Sequence, residues 1–221
     1  MSPEGTVRDR AGAGFDLIET MRWEPVAGFV RLERHLARLY ASAQELGFSH
    51  NPEKIDHALR DAVVGYDKPL RVRLVLSASG DVTASTQPYE PLPQYEVWNL
   101  RIASTRLDST DTLLRHKTSR REAFVKARSE YQLHRADEVI LLNERSEVCE
   151  GTITNVFVDT GDGGLLTPPL ASGLLPGVLR AELLAEGHAR EAVLGTADLM
   201  DAENLFVGNS LRGLIPARMD E

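Results

Sequence analysis

The chain has 221 residues, of which 42% are hydrophobic and 26% charged, a composition typical of a soluble globular protein with one large or two smaller domains. Its net charge of −8 argues against nucleic acid as the main partner, because neutralising phosphates requires clustered Lys and Arg. The single cysteine, Cys149, excludes an intrachain disulfide and favours a reducing compartment. No apolar run approaches the ~20 residues that span a bilayer, and the polar start lacks a secretory signal. We therefore expect a cytoplasmic protein with no membrane partner.

The first part of the chain carries patterns of both strands and helices. Apolar and polar residues alternate over 15–22, and in this strand we place Phe15 and Leu17 on one face and Glu19 on the other. Gly47 stands where a helix C-cap belongs. The elements expected here are a strand over 15–22, helices over 30–46 and 52–64, and a strand over 70–77.

A proline-rich stretch interrupts these patterns over 87–94. Its three prolines forbid regular hydrogen-bonded structure and predict a connector. We place the boundary between two subdomains there, with an N-terminal α+β subdomain over 1–90 and a C-terminal subdomain over 91–221.

The second part also mixes strands and helices. The spacing of Ser119 and Glu122 matches a capping box and predicts a helix that begins at Ser119. Asp162-Gly163-Gly164 predicts a hairpin. Regular alternation of strand and helix is missing, so we expect an α+β fold of two subdomains rather than a doubly wound sheet. The main elements expected are strands over 97–103, 138–143, 148–160, 191–194 and 204–208, and helices over 119–133, 178–186 and 197–202.

Lys117 is the first residue that could carry chemistry. It lies among Arg115, His116, Arg120 and Arg121, and burial beside such groups favours the neutral amine that Schiff-base chemistry requires. The ordinary alternative is a solvated basic helix start, which is more common for a lysine considered alone.

Glu150 is the second candidate, because it lies in a predicted strand and is followed by small and hydroxyl residues. A buried carboxylate needs a cationic partner, such as a protonated pyridinium. An edge-strand glutamate beside a bulge at Gly151 explains the pattern equally well.

Three further stretches could bind an anion or line a site. The segment 173–180 carries a glycine loop into a helix start, which suits a phosphate but is also an ordinary loop. Arg34 and Arg38 share one helix face, and either could clamp a phosphate or pair with Glu33 or Glu45. Ser210 follows a strand, where its hydroxyl could bind a ligand or where it could simply belong to a turn. No cysteine cluster, close histidine pair, nucleophile elbow or Walker loop is present.

The order of these stretches resembles the class IV aminotransferases, which are fold-type IV enzymes that use pyridoxal 5′-phosphate (PLP). The resemblance covers residues from about 15 to 217. It is carried by FDLIET (15–20), RLERHLARL (31–39), HKTSRR (116–121), ADEVILL (136–142), EVCEGTITNVF (147–157), LLTPPLASGLLPGVLR (165–180) and VGNSLRGLIP (207–216).

The resemblance implies a role for individual residues. Lys117 matches the Schiff-base lysine, Glu150 the glutamate that faces the pyridine nitrogen, and Arg38 the arginine that binds the cofactor phosphate. The remaining cofactor-binding positions are Val178 and Leu179, through backbone N–H groups, Ser210, through its side chain, and Thr154 and Asn155, which line the cofactor region. The resemblance also implies a homodimer with a small-molecule amine as substrate.

The start of the chain differs from the family pattern. Only about fourteen residues precede Phe15, where relatives usually have an N-terminal strand pair that supplies part of the substrate wall. This start is similar to lyase-type domains fused behind aminodeoxychorismate synthase subunits, and such a subunit is an expected second partner. The sequence 166–180 is also most similar to that group.

Three functions follow from these observations. The first is a 4-amino-4-deoxychorismate lyase, which makes 4-aminobenzoate and pyruvate in folate biosynthesis. The second is an aminotransferase that acts on branched-chain or D-amino acids with 2-oxoglutarate. The third is a non-catalytic interaction protein, against which the presence of both Lys117 and Glu150 argues.

Overall fold

The computed structural model describes residues 14–220 except 133, 160 and 162. Contacts divide the chain into two compact units, the described part of Met1–Pro91 with His116–Arg120, and the described part of Leu92–Arg115 with Arg121–Glu221. Each unit contains helices and a sheet, which confirms the α+β prediction. Residues 1–13, on which the targeting expectation rests, and Asp162 of the expected hairpin lie outside the described residues.

The first unit is an antiparallel four-stranded sheet with two helices. The strand order is β2-β1-β3-β4. In chain order the elements are β1 (Leu17–Glu24), β2 (Gly28–Phe29), α1 (Leu32–Leu46), α2 (Pro52–Val63), β3 (Leu70–Leu76) and β4 (Val82–Pro88).

Local sequence explains where these helices begin and end. Gly47 adopts a left-handed conformation with φ 74° and ends α1, as predicted. The Asn51 side chain accepts hydrogen bonds from the backbone N–H groups of Glu53 and Lys54, and Pro52 fills the first helical position of α2.

The buried face of this sheet is made by alternate residues of β1 and β3. Leu70, Val72, Leu74 and Leu76 are all buried, and β1 contributes the odd-numbered residues opposite them. Glu19 therefore lies on the same face as Leu17, and its placement on the opposite face was wrong.

The second unit contains an eight-stranded mixed sheet of order β10-β9-β8-β11-β12-β5-β6-β7. Pairing is parallel between β5 and β6, β5 and β12, and β9 and β10, and antiparallel elsewhere. In chain order the elements are β5 (Trp98–Leu107), α3 (Glu122–Ser129), β6 (Glu138–Asn143), β7 (Val148–Gly151), β8 (Asn155–Asp159), β9 (Leu165–Thr167), α4 (Val178–Ala185), β10 (Ala189–Glu191), α5 (Thr196–Met200), β11 (Asn204–Asn209) and β12 (Gly213–Met219).

Strand β6 is buried on both faces of this sheet. Ile140 and Leu142 belong to one apolar cluster, and Val139 and Leu141 belong to another that packs with α3. The continuous apolar run of β6 is explained by this double burial.

Helix α3 begins three residues later than predicted. Its N-cap is Arg121, which makes no side-chain cap hydrogen bond. The Ser119 hydroxyl accepts a hydrogen bond from the Asp16 backbone N–H at 2.9 Å instead, so the capping-box prediction was wrong.

The strand expected over 148–160 is interrupted. Residues 152–154 form a turn between β7 and β8, closed by a hydrogen bond from the Gly151 N–H to the Thr154 carbonyl.

Strands β4 and β12 were not predicted, because β4 is a polar strand at one edge of its sheet and β12 contains Pro216. No helix in the described part of the chain is long and apolar enough to cross a bilayer.

Candidate active site

The backbone of Lys117 is fixed to β1 in the first unit. The Ile18 N–H donates to the Lys117 carbonyl at 2.8 Å, and Thr118 forms a β-bridge with Leu17. The neighbouring His116 is buried, and its Nδ1 lies 2.9 Å from the Ser42 hydroxyl on α1. The Lys117 side chain is half-buried, and the backbone and the neighbouring residues on both sides of it are fixed by these contacts.

Arg38 makes a buried ion pair with Glu19 in the same unit. Its Nε donates to Glu19 Oε1 at 2.9 Å and its NH2 to Oε2 at 2.6 Å, while His35 Nδ1 lies 2.6 Å from Oε2. Arg38 therefore pairs with Glu19, a partner that the sequence reading did not anticipate. His35 is a packed histidine with a side chain that is 1% exposed.

Glu19 is charged in spite of its complete burial. Burial opposes ionisation, but the Arg38 charge and the hydrogen bonds from His35 and Arg38 outweigh it and lower the pKa of Glu19 to about 2. The carboxylate thus orients the Arg38 guanidinium. Arg34, on the same helix, is exposed on the surface of α1.

Glu150 is buried near the end of β7 in the second unit, with 5% of its surface exposed. Its Oε1 accepts a hydrogen bond from the Leu175 backbone N–H at 3.1 Å. Cys149 beside it is buried too, and burial together with the negative charge of Glu150 raises the pKa of the thiol well above its usual range. Cys149 is consequently neutral and unsuited to act as a nucleophile.

Leu175 connects Glu150 to Asn155 at the start of β8. The Asn155 Nδ2 donates to the Leu175 carbonyl at 3.1 Å, so both polar groups of one loop residue are held by predicted site residues. A Cβ atom on Gly177 would lie 1.9 Å from Asn155 Oδ1, which explains why glycine stands there. Asn155 thus holds the loop that leads into α4.

Helix α4 begins beside β11. Its first residues, Val178 and Leu179, are buried, and the N-cap Gly177 offers no side-chain cap, so the unpaired N–H groups of the first turn remain available to an anion. A Leu179 methyl group lies 2.9 Å from where a Gly208 Cβ would be, and Ser210 is buried two residues further on. The structure therefore brings Glu150, Asn155 and the start of α4 together in this unit, and Ser210 follows two residues after the Gly208 that packs against α4.

Glu138 was not singled out from the sequence, although it is 1% exposed. Thr154, predicted to line the cofactor region, donates its hydroxyl to Glu138 Oε2 at 2.9 Å. The sequence contains one indication of this role, because Glu138 is a charged residue at the start of an otherwise apolar strand. A charged residue in a strand that is buried on both faces requires compensating contacts.

The family model described as amino-transferase class IV matches residues 16–219. The chain belongs to this family. Class IV aminotransferases are PLP-dependent enzymes of fold type IV, so the predicted family and fold class are confirmed.

Relatives with two kinds of assigned activity resemble this class IV chain. A provisionally assigned aminodeoxychorismate lyase of Schizosaccharomyces pombe is 34% identical over 190 residues, which cover 82% of this chain and 80% of that protein. A crystal structure of a provisionally assigned amino-acid aminotransferase from Mesorhizobium loti is 62% identical with a TM-score of 0.92, and the match covers 94% of this chain and 100% of that one. The 4-amino-4-deoxychorismate lyase structure from Pseudomonas aeruginosa is 27% identical with a TM-score of 0.81, covering 100% and 89%.

Proposed function

We propose that this chain is a PLP-dependent 4-amino-4-deoxychorismate lyase that releases 4-aminobenzoate and pyruvate. The observation that carries the proposal is the buried Glu150 carboxylate in the second unit, which accepts a hydrogen bond from a backbone N–H. The family resemblance assigns this residue to the ring nitrogen of the cofactor. The lyase reaction is supported by the likeness to the S. pombe and P. aeruginosa proteins.

The donor groups of the described residues fit PLP. A buried carboxylate is stabilised by a cation, and a protonated ring nitrogen is such a cation. The start of α4 has no side-chain cap. The backbone N–H groups of its first residues, Val178 and Leu179, could therefore bind a phosphate. Arg38 would add a positive charge at the phosphate.

Each remaining residue has an assigned task in this proposal. Lys117 would hold the cofactor through its amine, Ser210 would donate its hydroxyl to the phosphate, and Thr154 and Asn155 would shape the surrounding wall. Glu19 holds the Arg38 guanidinium in one orientation, because two hydrogen bonds fix its plane.

The chemistry is divided between cofactor and protein. Bound PLP supplies an electron-withdrawing ring for the carbon that carries the substrate amine. Glu150 keeps a proton on the ring nitrogen. Lys117 Nζ, freed when the substrate amine takes its place on the cofactor, would remove the proton from C4 of the substrate. It would return a proton to the methylene carbon of the leaving enolpyruvyl group, so that the ring becomes aromatic and pyruvate is released.

An aminotransferase is the second candidate, and the 62% identity to the M. loti protein favours it. The same Lys117 amine would then move a proton between two carbons instead of promoting elimination. The amino acceptor would be 2-oxoglutarate, and branched-chain or D-amino acids would be the donors.

A substrate panel separates these reactions. The PLP-loaded protein is incubated with 4-amino-4-deoxychorismate, or with amino acids and 2-oxoglutarate, and 4-aminobenzoate, pyruvate and glutamate are measured. We expect equal amounts of 4-aminobenzoate and pyruvate, both lost in Lys117→Ala. Rapid glutamate formation without 4-aminobenzoate would reject the lyase, and failure of the protein to bind PLP would reject both reactions.

A further inference from the structure

We propose that Glu138 is a positioning residue for the cofactor, acting through the turn 152–154 on Glu150 and Asn155. This inference rests on the proposed binding of PLP. It concerns only residues of the second unit, where Glu138 opens β6 and its side chain is 1% exposed.

The Glu138 carboxylate accepts five hydrogen bonds. Three come from backbone N–H groups, those of Val139 at 2.9 Å, Thr152 at 3.0 Å and Ile153 at 3.0 Å. Two come from hydroxyls, those of Thr152 at 2.6 Å and Thr154 at 2.9 Å. Four of the five donors belong to residues 152–154, so the turn is folded around this one side chain.

The sequence of the turn is adapted to the carboxylate. A Cβ atom on Gly151 would lie 2.8 Å from Glu138 Oε2 and 2.4 Å from the Thr154 hydroxyl. Glycine therefore lets the backbone pass against the carboxylate, and the Gly151 N–H then closes the turn on the Thr154 carbonyl at 2.8 Å.

The turn determines where two site residues stand. Glu150 immediately precedes Gly151 at the end of β7, and Asn155 immediately follows Thr154 at the start of β8. Both side chains hold Leu175, on its N–H and its carbonyl respectively. Displacing the turn consequently displaces the carboxylate for the ring nitrogen and the loop that leads into α4.

The test uses the isosteric variant Glu138→Gln, which places an amide NH2 among donors and leaves some of them without an acceptor. We expect about tenfold weaker PLP binding. We also expect the pH profile of the bound cofactor's visible absorption to shift in the same direction as in Glu150→Gln, because the ring nitrogen loses its fixed carboxylate. The exposed residue Glu90 provides the control Glu90→Gln, expected to match the wild type.

A second variant, Thr152→Val, tests the positioning role of Glu138 if Glu138→Gln does not fold. Thr152→Val keeps the shape of the side chain and removes only the 2.6 Å hydrogen bond to Glu138. It should change affinity and pH profile in the same direction and by less. If either folded variant loses thermal stability while both cofactor readouts match the wild type, the role is purely structural and the inference is overturned. Wild-type protein that binds no PLP would overturn the proposed function, and this inference with it.

Discussion

Three glutamates are buried among the described residues, and two of them, Glu19 and Glu138, are stabilised by different kinds of partner. Glu19 is surrounded by cationic or protonatable groups, Arg38 and His35, whereas Glu138 is surrounded by neutral N–H and hydroxyl donors. Removing the charge of Glu19 therefore leaves a partly buried guanidinium without its counter-charge, which is the costly way to break a buried pair.

The difference in stability between the wild type and Glu19→Gln should depend on pH. The pKa of Glu19 is lowered from 4.5 to about 2 on folding, so its stabilisation is complete above pH 4.5 and is lost as the pH falls towards 2. That shift corresponds to roughly 3 kcal/mol. We expect Glu19→Gln to be less stable than the wild type at pH 7 by an amount of this order, in urea unfolding.

The difference in unfolding free energy between the two proteins should shrink steadily between pH 4.5 and pH 2. Glu90→Gln, at an exposed position, should show no comparable difference at any pH. A penalty that stays constant down to pH 3 would mean that the Glu19 carboxylate is not held charged by Arg38 and His35.

The sequence and its family resemblance identified some of these residues and not others. Lys117, Glu150 and Arg38 stand in motifs whose order is specific, and each can be found without coordinates. Glu19 was assigned to the wrong face of its strand because it is charged. Every second residue of a strand lies on one face, so Glu19 had to lie on the face of Leu17. Four of the five donors to Glu138 lie fourteen to sixteen residues further along the chain, and only the turn brings them together.

At the scale of elements, the start of α4 depends on close packing that no single pattern reveals. Gly177 has φ −62°, which any residue can adopt, so glycine is not required there for its backbone freedom. It is required because Asn155 Oδ1 occupies the space where a Cβ would lie. The helix was predicted correctly from its spacing, whereas this contact between β8 and the loop before α4 was not.

Gly177→Ala tests this packing. We expect a loss of about 1–3 kcal/mol in unfolding free energy, as is typical of overpacking, and weaker PLP binding because the first turn of α4 moves. Gly164→Ala is the matched control, since nothing lies within 4 Å of a Cβ at that glycine. Equal unfolding free energies for the two variants would show that Asn155 moves aside without cost.

Hydrogen bonds between residues distant in sequence also determine where elements begin and end. Ser119 and Glu122 have capping-box spacing, but the Ser119 hydroxyl bonds to Asp16, 103 residues away in the sequence. The long strand expected over 148–160 breaks at 152–154 because the buried carboxylate of Glu138 attracts the N–H groups there. In both places a partner distant in sequence outweighed a local preference.

At the scale of the whole molecule, the chain forms two contact units, and His116–Arg120 returns to the first one. The expected subdomain boundary between residues 90 and 91 remains a prediction. The antiparallel pairing of 117–119 with β1 could not be found from the sequence, because it joins segments about a hundred residues apart.

The homodimer implied by the family resemblance is also a prediction for the whole molecule. We expect sedimentation equilibrium to give twice the 24.4 kDa mass of the chain across the micromolar range. The mass should be the same with and without added PLP. A mass equal to that of one chain at all concentrations would contradict the dimer.

The most direct test of the central claim is to locate the cofactor on the chain. Protein loaded with an equimolar amount of PLP is reduced with borohydride, digested, and mapped by mass spectrometry. We predict that the phosphopyridoxyl mass appears on the peptide containing Lys117 and that Glu150→Gln lowers its yield. A label on Lys54, Lys68 or Lys126 with none on Lys117 would contradict the assignment of Lys117 as the cofactor-binding lysine.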